Sequence, residues 1–209
     1  MNNYFKNRTY CPCCGYSNGN EIYRALYNEP PISDYLERFY SPQGGVEFEY
    51  LHNQDYIVCE CIQCGLVYQK EIPDDLLMHK LYDKWIDPDI VFEKIEKNRG
   101  VGYFSSISSE VIRIIRQFNS LPNHLDFLDY SMGWGHWCRV AQSLGCNVHG
   151  TEFSSTRLDH AKQNGIKIIG YDELLDQRYD FINTEQVFEH LPEPKKVLLH
   201  LKKCLKPNQ

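Results

Sequence analysis

No stretch of the 209-residue sequence stays apolar for anything near the roughly 20 residues that cross a bilayer. The opening MNNYFKNRTY also lacks the apolar core of a signal peptide. These two absences predict a cytoplasmic protein with no membrane partner. Clustered positive charge is missing too. The net charge is −6, with five Lys+Arg against eight Asp+Glu in residues 1–70, the same counts in residues 71–100, and twelve of each beyond. A phosphate backbone is gripped by grouped Lys and Arg, so no nucleic-acid partner is expected. Internal repeats and low-complexity tracts are absent as well.

Cysteine, by contrast, is plentiful and unevenly placed. Six of the nine fall in the first 64 residues, as CPCCG and CECIQCG. Short paired spacings in a cytosolic chain point to a metal before a disulfide. Two CxxCG knuckles, Cys11–Cys14 with Gly15 and Cys61–Cys64 with Gly65, supply the four soft ligands that zinc takes in a tetrahedral site. The alternative is a set of reduced, buried thiols. Cys13 and Cys59 fall outside the register and read as near neighbours or substitutes. VEFEYL and YIVCE inside the long gap look like strands, which gives a zinc-ribbon-like module over residues 1–70. A site closed by four cysteines has no open position for water, so the expected role of zinc is structural.

Residues 71–100 read as a helical connector. Leu77, Leu81 and Trp85, with Leu76 and Ile86 beside them, form an apolar stripe that Pro88 is expected to end. From residue 101 the pattern changes to a helix at ISSEVIRIIRQF, a strand at LDFLDY, a helix at GHWCRVAQSLG and a strand at CNVHGTE. A helix at SSTRLDHAKQNG with Ser154 as N-cap, strands at IKIIG and YDFINTE, and a helix at PEPKKVLLHLKKCLKP complete it. That alternation predicts an α/β fold with a parallel sheet.

Ligands in such a sheet sit beyond the carboxyl ends of the strands. The stretch LDFLDYSMGWGHW places a glycine loop there after the first strand. Glu152, 23 residues after Asp129, stands at the end of the second, where a carboxylate can take two adjacent ribose hydroxyls. Loop and acid fit a nucleoside cofactor but do not separate NAD from S-adenosylmethionine.

YDFINTEQVFEHLPEPKKVLLHLKKCLKP decides between them. It resembles the fourth strand and following helix of class I S-adenosylmethionine-dependent methyltransferases, whose pattern is an apolar strand, VxEH, a proline turn and a helix ending in LKPGG. The resemblance spans residues 101–209 and implies a Rossmann-like sheet and S-adenosylmethionine as cofactor. It makes Asp129 the acid that opens the glycine loop and Gly133 and Gly135 its second and third glycines. Ser131 takes the place of the first, a strained choice if that position needs positive φ. The resemblance further implies Glu152 as the ribose ligand, Asp172 near the adenine amino group, and Glu185 and Gln186 as the floor of the methionine end. With the cysteine knuckles in front, the layout is similar to methyltransferases that carry an N-terminal zinc-binding domain, including sugar C-methyltransferases. That implies a small-molecule substrate such as a sugar nucleotide or another carbohydrate precursor.

Methyl transfer needs alignment, exclusion of water and, where the acceptor carries a proton, a base. His190 in FEHLPEP is the candidate base; capping of the next helix is its alternative role. Trp134, His136 and Trp137 either line the cofactor site or pack the helix onto the sheet, and Tyr103, placed before the first helix, either covers the cofactor or lies on the surface. Domains of this family continue past LKPGG into three more strands, in sheet order 3-2-1-4-5-7-6, whereas this sequence stops at LKPNQ. The fourth strand is therefore expected at a sheet edge, available for self-association or a partner. The expected function is S-adenosylmethionine-dependent methylation of a small molecule. Its alternatives are a zinc- and nucleoside-binding scaffold, a fragment needing its other half, and, third, a nucleic-acid methyltransferase.

Overall fold

The computed structural model describes residues 4–207. The outermost residues of the first and last expected segments, 1–3 and 208–209, lie outside the described residues. The chain forms two compact units, one up to Asn98 and one from Arg99 onward.

The first unit contains β1 (Phe5–Asn7), β2 (Gly19–Leu26), α1 (Ile32–Tyr40), β3 (Asp55–Cys61), β4 (Val67–Gln69), β5 (Glu71–Pro73), α2 (Asp75–Lys80) and α3 (Pro88–Asn98). An antiparallel sheet runs β2-β3-β4, and β1 pairs antiparallel with β5. Phe5, Tyr27, Leu51, Leu77 and Trp85 form its apolar core.

Three sequence expectations change here. VEFEYL is no strand: Phe48–Tyr50 make a 3-10 turn. Val46, Phe48, Tyr50 and Leu51 all reach one core, which a strand cannot arrange because neighbours such as Tyr50 and Leu51 would face opposite ways. Pro88 opens a helix instead of ending one. Its missing N–H costs nothing at the first helical position, and the Asp87 carboxylate accepts from the amides of Asp89 (2.9 Å) and Ile90 (3.1 Å). The break falls earlier, in the π-turn Leu81–Trp85. Leu77 and Trp85 are buried, but Leu76 lies off the stripe and is exposed.

The second unit contains α4 (Val101–Ile115), β6 (Asp126–Asp129), α5 (His136–Ser143), β7 (Asn147–Gly150), α6 (Ser155–Gln163), β8 (Lys167–Ile168), β9 (Phe181–Asn183) and α7 (Pro194–Cys204). The four strands are all parallel, in the order β8-β7-β6-β9, as expected of a Rossmann-like α/β sheet. Alternate residues of β6 serve opposite faces. Phe127 enters a core with Val111, Trp137, Val148 and Ala161, and Leu128 enters another with Tyr130, Tyr179, Leu201 and Cys204. Helices α4, α5 and α6 thus cover one face and α7 the other. Helix α4 begins earlier than the pattern predicted, so Tyr103 sits inside its first turn, not before it.

Beyond β9, Tyr179 and Leu205 form a single parallel bridge, and the Lys206 ammonium reaches Asp126 (2.7 Å) and Asp180 (2.6 Å). Among the described residues no helix is long and apolar enough to cross a membrane.

Candidate cofactor site and metal centre

The two cysteine knuckles fold as copies of one turn. The Gly15 amide donates to the Cys11 carbonyl (3.0 Å) and the Gly65 amide to the Cys61 carbonyl (2.9 Å). Both glycines have left-handed backbones, φ +81° and +72°, which brings the chain back under the two thiols. The sulfurs of Cys11 and Cys64 lie 3.6 Å apart, those of Cys14 and Cys61 3.5 Å, and all four within 4.8 Å of one another. Tetrahedral bonds of about 2.3 Å require sulfur–sulfur separations of about 3.8 Å, so four thiolates here fit one ion. Cys13 is exposed, and Cys59 is buried on β3 opposite Glu21 and Tyr68. Neither joins the cluster.

In the second unit the chain leaves β6 through Tyr130 to Gly135 and enters α5. Ser131 does take a positive φ, +59°, as do Gly133 (+57°) and Gly135 (+72°). Two hydrogen bonds hold the serine there: its amide donates to Thr151 Oγ1 (2.9 Å), and its hydroxyl lies 3.0 Å from that of Tyr171. At Gly135 a Cβ would stand 2.3 Å from Ile166 Cδ1, so this position tolerates no side chain without movement of the core. Ser131→Ala keeps the strained backbone and loses the Tyr171 contact. It is expected to be less stable than Ser131→Gly by about 1–2 kcal/mol in urea denaturation, and equal stability of the two variants would contradict that account.

The Glu152 side chain, only 7% exposed, faces this loop. One carboxylate oxygen accepts from the Gly133 amide (2.9 Å), the other from the amides of Phe153 (2.8 Å) and Ser154 (3.0 Å), and Arg157 lies 3.9 Å away. The Ser154 side chain makes no cap bond, so Glu152 does the capping expected of it: its charged acceptor reaches the free amides at the head of α6. Tyr171 stacks on Phe153 with ring centres 4.0 Å apart, and Phe153 is 75% exposed. Sequence reasoning passed over this pair; an aromatic directly after the acid was the available signal. Asp172 is exposed in the turn after β8.

Asp129 lies beneath the loop and is buried. Its carboxylate accepts from the Asn183 amide (2.9 Å) and the Cys138 thiol (3.4 Å), which ties β6 to β9. Burial pushes this carboxyl up to about 6 from 3.8, against the pull of those two donors. The folded state therefore holds the proton more tightly than the unfolded chain does. The stability this provides is complete below about pH 4 and is lost as pH rises through about 6. Asp129→Asn is expected to exceed the parent by about 2–3 kcal/mol at pH 7, with the gap closing by pH 4 in urea melts. A gap independent of pH would overturn this.

Glu185 and Gln186 are exposed in the loop after β9, Gln186 with φ +54°. His190 ends the 3-10 turn Phe188–His190, half-exposed, with its Nε2 3.9 Å from the Glu189 carboxylate. His136, the first residue of α5, is buried. The structure thus joins Ser131, Gly133, Glu152 and Tyr171 by direct hydrogen bonds and sets Asp129 under them. Asp172, Glu185, Gln186 and His190 stand on exposed loops around the same strand ends.

Residues 103–209 match the family model described as a methyltransferase domain. The chain belongs to that family. Phosphoethanolamine N-methyltransferase 2 of Caenorhabditis elegans is 29% identical over 110 residues, which cover 47% of this chain and 25% of the relative. Magnesium protoporphyrin IX methyltransferase of Synechocystis PCC 6803, solved with bound S-adenosylmethionine, aligns with TM-score 0.43 and 23% identity over 51% of this chain and 56% of that one. The plantazolicin methyltransferase BpumL, solved with S-adenosylhomocysteine, aligns with TM-score 0.46 and 19% identity over 62% and 53%. The match thus spans a quarter of the curated relative and about half of the solved chains.

Proposed function

We propose that the second unit binds S-adenosylmethionine and serves methyl transfer to a small molecule, with a sugar nucleotide or other carbohydrate precursor as the acceptor class. The observation that carries this reading is the contact between Glu152 and the glycine loop. A buried carboxylate at the end of β7 faces backbone amides at the end of β6, at the point where strand order reverses. Those groups fit a nucleoside: Glu152 offers two acceptor oxygens for adjacent ribose hydroxyls, the loop offers close backbone approach, and the Phe153–Tyr171 pair offers flat apolar surface beside Asp172.

The cofactor supplies a methyl group made electrophilic by its sulfonium. The chain's own residues hold and orient it and shield the transfer end. Glu185 and Gln186 form the floor of that end, and His190 takes a proton from an acceptor that must lose one. In the first unit Cys11, Cys14, Cys61 and Cys64 hold zinc as a closed structural site; with four thiolates present, no position is left for a substrate.

Calorimetric titration of the zinc-loaded chain with S-adenosylhomocysteine tests the cofactor reading. A dissociation constant near ~1 μM supports it, and absence of binding by a folded chain refutes it. Methyl transfer from labelled S-adenosylmethionine to a panel of sugar nucleotides then tests the acceptor class.

A further inference from the structure

The chain passes outward through β6, β7 and β8, then returns to β9 on the other side of β6. The reversal leaves a crevice at the carboxyl ends of β6 and β9, where ligands of open parallel sheets settle. Besides the glycine loop, three side chains from the start of the second unit meet there. The Nδ1 of buried His136 lies 2.8 Å from the Tyr103 hydroxyl, and its Nε2 is hydrogen-bonded by the Arg99 guanidinium. The Tyr103 ring stands edge-on to the imidazole, with centres 5.7 Å apart.

The donor inventory fixes the direction of these bonds. A guanidinium only donates, so Nε2 must accept. Burial, and after it the charges of Arg99 and Arg139, push His136 down to about 4. The ring is therefore neutral at neutral pH, and its single proton is assigned to Nδ1. Nδ1–H then donates to the Tyr103 oxygen, which leaves the phenol proton directed elsewhere. Burial raises the Tyr103 phenol further than Arg99 lowers it, so it stays protonated and acts as a donor. Glu185 acts electrostatically on both Tyr103 and Asp129, which puts an anion across the same crevice from the Arg99 cation.

We infer that Arg99, His136 and Tyr103 together bind the amino-carboxylate end of the nucleoside cofactor, with Tyr103 donating to the carboxylate. This rests on the cofactor reading above. Arg99 supplies the complementary charge, Glu185 faces the ammonium group, and His136 is a positioning residue that acts through Tyr103. A zwitterion thus meets a cation and a donor on one side and an anion on the other.

Two probes separate this end of the ligand from the rest. S-adenosylhomocysteine carries the amino-carboxylate, and 5′-methylthioadenosine lacks it. Tyr103→Phe keeps the ring packing and removes only the hydroxyl. It is expected to weaken S-adenosylhomocysteine about tenfold, the effect of one hydrogen bond to a charged group, and to leave methylthioadenosine unchanged. His136→Phe removes the Nδ1–H donor and is expected to match Tyr103→Phe, with no further loss in the double variant. His136→Asn places an amide N–H near the Nδ1 position and restores most of the affinity, which a purely structural role would not produce. Should His136→Phe not fold, the tyrosine and asparagine variants still decide.

Unchanged S-adenosylhomocysteine affinity in Tyr103→Phe overturns the inference, as does an equal loss for both probes. If the parent chain binds neither probe, the cofactor reading falls and the inference falls with it. If the parent binds both and the tyrosine variant is indifferent, only the inference falls.

Discussion

Glu152→Ala is expected to lower affinity for S-adenosylhomocysteine at least about 100-fold in calorimetric titration. A carboxylate that accepts from two ribose hydroxyls makes two charge-assisted hydrogen bonds, each contributing about 1.5 kcal/mol or more, and a tenfold change corresponds to about 1.4 kcal/mol. The same side chain also accepts from the amides of Gly133, Phe153 and Ser154, so its removal loosens the loop as well as the ligand. Glu152→Gln separates the two contributions. It keeps one acceptor oxygen but turns an N–H₂ toward amides that can only donate, so an intermediate loss of about tenfold is expected. Affinity at the parental level in Glu152→Ala, with the protein folded by circular dichroism, would remove the central support for a nucleoside site.

Removal of the metal is the second large effect expected, and it is local. Zinc at Cys11, Cys14, Cys61 and Cys64 joins two turns separated by nearly fifty residues of chain. The core of that unit has only five buried members, Phe5, Tyr27, Leu51, Leu77 and Trp85, too few to hold the knuckles together unaided. Binding free energy at such sites is folding free energy, on the order of 10 kcal/mol. Chelation, or Cys61→Ser, is therefore expected to abolish amide-exchange protection across β2, β3 and β4. The second unit, compact in its own right, should keep its protection. The metal-loaded chain should contain one zinc by atomic absorption. Identical exchange in metal-free and metal-loaded protein would show that the thiols pack without an ion.

The two predictions draw on different kinds of information. The cysteine knuckles are legible in sequence because a two-residue spacer and a following glycine place the ligands by local geometry alone. The parallel sheet is legible for a similar reason: LDFLDY and the strands after it are short apolar runs separated by amphipathic helices, and few other folds bury that pattern. The glycine loop and Glu152 follow from their positions at strand ends. Even the strain at Ser131 could be anticipated, although its remedy, bonds to Thr151 and Tyr171 some 20 and 40 residues away, could not.

The misreadings have one source. VEFEYL alternates like a strand, but four of its residues are drawn into one core and the backbone turns to let them reach it. Pro88 looks like a stop, yet Asp87 before it makes the position a good helix start. Ser154 looks like a cap until the carboxylate two residues earlier occupies the amide. Each expectation weighed a residue by its own preference, and a neighbour with a stronger interaction then decided.

The sequence by itself determined the class of fold, the four-cysteine cluster and the strand ends at which a ligand can sit, because these depend on spacing and periodicity. Only the tertiary structure decided that Glu152 faces the loop amides, that Phe153 stacks on Tyr171, and that Arg99 and Tyr103 meet across the His136 ring. Those contacts depend on side-chain direction and on the register of separate elements, which are fixed when the helices pack onto the sheet.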